Sequence, residues 1–105
     1  MVSRLGLVLA TGPATGDLAH ACALAHAARR RGLAVELFAM HDGVRALAAA
    51  PAAVRALLDD GCEVVACATS ADRAGIDLAR LGLTAGSQDD HAAVTDGRHR
   101  VVAFT

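Results

Sequence analysis

A chain of 105 residues makes one domain, and 54% hydrophobic against 20% charged residues excludes a disordered segment. The formal net charge of −1 comes from interspersed acids and bases, so the surface is not that of a polyelectrolyte-binding protein. Two Phe and no Trp or Tyr leave a core of Leu, Val and closely packed Ala. A domain this small and this poor in large side chains gains from assembly into an oligomer.

The first predicted element is a buried parallel strand, Leu5 to Ala10, too short for a membrane span and followed at once by Gly12-Pro13. The loop Thr11-Gly12-Pro13-Ala14-Thr15-Gly16 comes next. Asp17 is expected to cap a helix that runs to about Arg31 and stops at Gly32, with Leu18, Ala21, Cys22, Ala25 and Ala28 on its apolar face. Arg29-Arg30-Arg31, the one basic cluster, falls in the last turn, where it complements the helix dipole. No aromatic side chain accompanies it, so no direct nucleic-acid contact is expected.

Val35 to Met40 reads as the second strand, and His41-Asp42-Gly43 turns the chain into helical sequence, with Asp42 at the N-cap. Pro51 starts a further helix, Pro51 to Asp60, closed by Gly61. The third strand is Glu63 to Ala66. Beyond Cys67, Thr69 or Ser70 is the expected N-cap of a weak helix around Ala71 to Arg80, which contains Gly75 and ends near Gly82. Leu83 to Ala85 reads as a short fourth strand, Ser87 as the cap of a helix from Gln88 to Val94, and Arg100 to Phe104 as a terminal strand. Strands alternating with helices predict an α/β fold: a three-layer α/β/α sandwich on a mainly parallel sheet of about five strands. Chemistry in such sheets gathers at the carboxyl ends of the strands, so Thr11, Gly12, Pro13, His41, Asp42 and Cys67 are expected on one edge.

Cys67 is the candidate working residue. It lies where a strand passes into a helix, and the N–H groups of a helix start favour a thiolate and lower its pKa. Arg73 adds positive charge one turn on, and Ser70 is in place to donate a hydrogen bond to a thiolate or persulfide. The motif is Cys-Ala-Thr-Ser rather than C-x-x-C, which rules out an internal dithiol with position 70. Cys22, on the buried helix face, and Cys62, at the opposite edge of the sheet, read as structural. An odd number of cysteines and no evident signal peptide predict reduced thiols and a cytoplasmic protein away from membranes.

Other chemistries fit less well. His20 and Cys22 point about 160° apart on a helix. Cys22 and His26 supply only two ligands of the three or four that zinc requires, so no metal is expected. His91 and His99 read as solvated. The Thr11 to Gly16 loop lacks the G-x-G-x-x-G order, the chain has no lysine, and Pro13 removes an N–H, so the loop reads as a pocket wall rather than a phosphate cradle. His41 is either a surface residue or a group that tunes or protonates a sulfur species.

Taken together, Leu7-Val8-Leu9-Ala10-Thr11-Gly12-Pro13, Asp42-Gly43-Val44, Val65-Ala66-Cys67, Arg73-Ala74-Gly75-Ile76, Leu81-Gly82-Leu83 and the ending Arg100-Val101-Val102-Ala103-Phe104 resemble the DsrE/DsrF-like family over nearly the whole chain. The resemblance implies a homo-oligomer, trimer or hexamer, and a cysteine at position 67 that takes sulfane sulfur as a persulfide from a donor protein and passes it to an acceptor protein. No cofactor is implied. Many relatives carry a second cysteine where this chain has Ser70. Some lack the active cysteine and serve as structural subunits, a role against which Cys67 argues. The rival expectation is a non-catalytic assembly or small-ligand-binding module of the same fold.

Overall fold

The computed structural model describes residues 4–87 and 100–105. Five strands, β1 (Arg4–Leu9), β2 (Ala34–Ala39), β3 (Glu63–Cys67), β4 (Thr84–Gly86) and β5 (Arg100–Phe104), form one sheet in the order β4-β3-β2-β1-β5. Every pairing is parallel, so all five strands end at the same edge. The α/β class and the five-strand parallel sheet agree with the sequence reading, and the strand order is new.

Side-chain alternation along each strand divides the core. Leu5, Leu7, Leu9, Val35, Leu37, Ala39, Val64 and Ala66 face the helices, while Val8, Phe38, Val65 and Cys67 face the other side. The helices are α1 (Asp17–Arg30), α2 (Gly43–Ala49), α3 (Pro51–Asp59) and α4 (Ala68–Ala74). Their buried residues, among them Leu18, Ala21, Ala25, Val44, Leu47, Val54 and Leu57, join the first of these two groups. Alanine on α1 lets that helix lie close to the strands, and the fully buried leucines supply roughly 1.5–3 kcal/mol each of hydrophobic stabilisation. The expected helix from Gln88 to Val94, with His91 and His99, lies outside the described residues.

Several predicted boundaries move, each for a local reason. Asp17 is the first residue of α1 rather than its cap; the cap position belongs to Gly16 in the left-handed region, and the Asp17 carboxylate accepts a hydrogen bond from the Thr11 hydroxyl (2.7 Å). The helix expected over 71–80 begins three residues earlier and breaks at Gly75, whose φ of 69° closes α4; a single 3-10 turn, Leu78–Leu81, follows. That turn is capped by Asp77, which accepts from the Ala79 N–H. The fourth strand lies one residue later than expected, because the pairing of Cys67 with Gly86 sets its register.

Arg29 does more than answer the helix dipole. Its Nε donates to the Asp60 carbonyl (2.8 Å) and one terminal nitrogen to the Leu33 carbonyl (3.0 Å), clamping the α3–β3 turn to the α1–β2 turn. Beside it, His26 Nδ1 lies 2.7 Å from the Asp60 carboxylate, so this histidine is turned toward an acid rather than toward Cys22.

Two stability predictions follow from these contacts. A Cβ at Gly43 would overlap the Leu9 carbonyl at the end of β1, with backbone on both sides of the clash. Gly43→Ala is expected to cost about 3 kcal/mol of unfolding free energy, read from urea midpoints, and a midpoint equal to wild type would disprove the close approach. Arg29→Ala strands two carbonyls and is expected to cost about 2 kcal/mol in the same measurement.

Candidate functional site: a thiol at the strand-end edge

β3 carries one residue past Ala66, so Cys67 is both its last residue and the N-cap position of α4. Thr69 and Ser70, expected as caps, are instead the second and third residues of the helix. Cys67 makes no side-chain capping bond of its own. Only 7% of its surface is exposed, yet it lines an open cleft of about 610 Å³ together with Met40, His41, Thr69, Ser70, Arg73, Gly86 and Ser87.

The environment favours the thiolate. The Ser70 hydroxyl lowers the Cys67 pKa most; burial opposes it; the N–H groups of Ser70 and Thr69 and the charge of Arg73 lower it further. Ser70 is itself oriented, because its Oγ accepts the backbone N–H of His41 at 2.8 Å. A hydroxyl has one proton and two lone pairs, so accepting from His41 leaves the proton for the sulfur. His41 adopts φ 52°, the one described non-glycine residue in the left-handed region, at a cost of about 1–2 kcal/mol. That conformation presents its N–H to Ser70 across the β2–β3 gap. His41 thus acts on the site through its main chain, a contribution the sequence did not reveal; its side chain lines the cleft.

The other two thiols differ. Burial pushes the Cys22 thiol up. Burial and the Asp60 carboxylate push Cys62 up, with Arg29 opposing. Of the three cysteines, only Cys67 has its pKa lowered by its surroundings.

The remaining candidates share the edge but not the cleft. Asp42 occupies the N-cap position of α2 without a side-chain capping bond; its carboxylate faces Arg45 Nε at 3.5 Å. Gly12 lies beside it, a Cβ there falling 3.6 Å from that of Asp42. Thr11 bonds to Asp17, and Pro13 lines a separate apolar groove of about 490 Å³ between α1 and the α2–α3 region. The loop is a pocket wall, as expected, but of a different pocket from that of Cys67. Met40 and Gly86 were not singled out from the sequence, and Thr69 and Ser87 were read only as helix caps, not as cleft residues. The signal for Met40 and Gly86 was there: each ends or follows a strand beside β3. Among the described residues no three His, Cys, Asp or Glu side chains gather as a metal site, and no helix is long and apolar enough to cross a membrane.

Ser70→Ala removes the largest stabilising group and is expected to raise the Cys67 pKa, moving the pH profile of its alkylation by iodoacetamide upward, with Cys22 and Cys62 unchanged. A superimposable profile would show that the hydroxyl does not reach the sulfur. Because the folded protein releases the Cys67 proton at lower pH than the unfolded chain does, this thiol adds stability as pH rises above its folded pKa. Ser70→Ala shrinks that gain.

Comparison with known proteins agrees with this architecture. No curated protein matches the chain. A conserved protein of unknown function, BT1422 from Bacteroides thetaiotaomicron, superposes with a TM-score of 0.83 at 13% identity, covering 97% of this chain and 95% of that one. The ychN protein from E. coli superposes with a TM-score of 0.79 at 22% identity, covering 98% and 100%. At these identities the likeness is one of fold. The profile of the DsrE/DsrF-like family matches residues 3–104, and the chain belongs to that family.

Proposed function

We propose that the protein is a sulfur-relay component, a sulfurtransferase-like carrier that holds sulfane sulfur as a persulfide on Cys67. The observation that carries the reading is a thiol with a lowered pKa on the wall of an open cleft, in a chain whose family is associated with sulfur relay. In the loading step the Cys67 thiolate attacks the outer sulfur of a sulfane-sulfur donor; a new S–S bond forms, the donor's S–S bond breaks, and the rest of the donor leaves with the electron pair. In the unloading step an acceptor thiolate attacks the terminal sulfur and Cys67 departs as thiolate. No external oxidant or cofactor enters. The groups that lower the Cys67 pKa also make it the better leaving group, and the Ser70 hydroxyl supports either anion.

The acceptor is a protein that presents a thiol to the cleft, and the compartment is the cytoplasm. Assembly into a homo-oligomer belongs to the same proposal. The edge strand β5, where Val101 and Val102 are 38% and 36% exposed, offers apolar surface for it. The second reading, a non-catalytic assembly or small-ligand-binding module, draws on the apolar groove lined by Pro13, Leu18, Cys22, Ala46 and Ala53.

Intact mass spectrometry of the reduced protein after exposure to a sulfane-sulfur donor separates the two. Wild type is expected to gain one sulfur and Cys67→Ser none. No gain in wild type, or equal gain in both, would turn the assignment to the binding module.

A further inference from the structure

Next to the thiol cleft lies a smaller pocket of about 200 Å³, lined by His41, Asp42, Arg45, Ser70, Arg73 and Ala74. It shares His41, Ser70 and Arg73 with the cleft, so the two cavities meet at the residues that flank Cys67. Two arginines from different helices, Arg45 on α2 and Arg73 on α4, line it. One carboxylate, Asp42, shares the lining, and among the described residues its ion pair is with Arg45, at 3.5 Å with both side chains more than half exposed, a contact worth little. Among the described residues Arg73 has no acidic partner. The pocket therefore has a net positive lining, with planar donor forks suited to an oxyanion. Its size suits a small tetrahedral anion and not a folded partner's side.

We infer that this annex is an anion-binding subsite, and that the sulfur donor it selects is a small molecule with a sulfonate head and an outer sulfane sulfur, of which thiosulfate is the simplest. The donor assignment rests on the carrier reading of Cys67; the anion site does not. With the sulfonate held by Arg45 and Arg73, the outer sulfur is directed into the cleft. The Cys67 thiolate attacks that sulfur, the S–S bond of thiosulfate breaks, and sulfite leaves with the electron pair, so charge and atoms balance without a further reagent.

The anion site is tested by alkylating Cys67 with iodoacetate and with iodoacetamide, following each cysteine by peptide mass spectrometry. The ratio of the two rates cancels any change in thiolate population and reports the charge around the sulfur. Wild type is expected to favour iodoacetate relative to a free thiol, and inorganic sulfate at millimolar concentration to slow iodoacetate selectively. The double variant Arg45→Gln/Arg73→Gln is expected to lower the ratio about fivefold. Both arginines are exposed, and an unchanged thermal midpoint verifies that the variant folds. A ratio equal in wild type and variant overturns the anion site. Thiosulfate is then the second probe, with the gain of one sulfur at Cys67 and release of sulfite as readouts. Loading by thiosulfate in wild type but several-fold slower in the variant supports the donor assignment; equal loading in both, or loading only from other donors, overturns it. Retained iodoacetate preference with no sulfur gained from any donor overturns the carrier reading and leaves the anion site standing.

Discussion

The parallel pairing of β2 with β3 is the constraint on which the site depends. Glu36 to Ala39 lie beside Glu63 to Ala66, and the two strands then part. β2 leaves the sheet at Met40, whose N–H is taken by the Leu9 carbonyl of β1 (2.9 Å), while β3 continues to Cys67 against Gly86 of β4. That offset opens a gap at the sheet edge, and the left-handed turn at His41 spans it to reach Ser70. If the pairing slipped by one residue, Cys67 would face the helical side of the sheet and the cleft would lose its thiol.

Chemical difference among three like residues comes from this geometry. Cys22 and Cys62 sit amid packed apolar groups, and Cys62 also has an acid nearby, so each keeps its proton. Cys67 is better covered by surface area than Cys22 and nearly as well as Cys62, yet hydroxyl and N–H donors surround it. Polar donors at short range outweigh partial burial, so the degree of exposure alone does not predict which thiol ionises. Ser70 in place of a second cysteine has a related consequence. The position supplies a proton donor to the sulfur and cannot form a disulfide with it.

Where the reading of single residues failed, a longer-range bond had displaced a local preference. Asp17 is a good N-cap in isolation, but Thr11 claims its carboxylate, and Thr15 Oγ1 accepts the Asp17 N–H in its place. Thr69 and Ser70 are good caps too. Pairing with β4 extends β3 to Cys67 and starts the helix before either can serve. Asp42 holds the cap position, but its carboxylate turns to Arg45.

The sequence by itself determined the alternation of strands and helices, the faces of β1 and α1, the parallel sheet and the edge on which chemistry gathers. These follow from side-chain periodicity and from glycine and proline stops, which are local properties of the chain. It also singled out Cys67, through the coincidence of a strand end with a helix start, and it carried the resemblance to the family. Only the tertiary structure decided that Ser70 rather than the helix start dominates the thiol's ionisation, that His41 acts through its N–H, and that the Thr11 to Pro13 loop walls a different pocket. Only it brought Arg45 beside Arg73. These are contacts between residues 28 or 29 positions apart, or between the ends of different strands, and no local pattern encodes them because sheet register and turn geometry set them together.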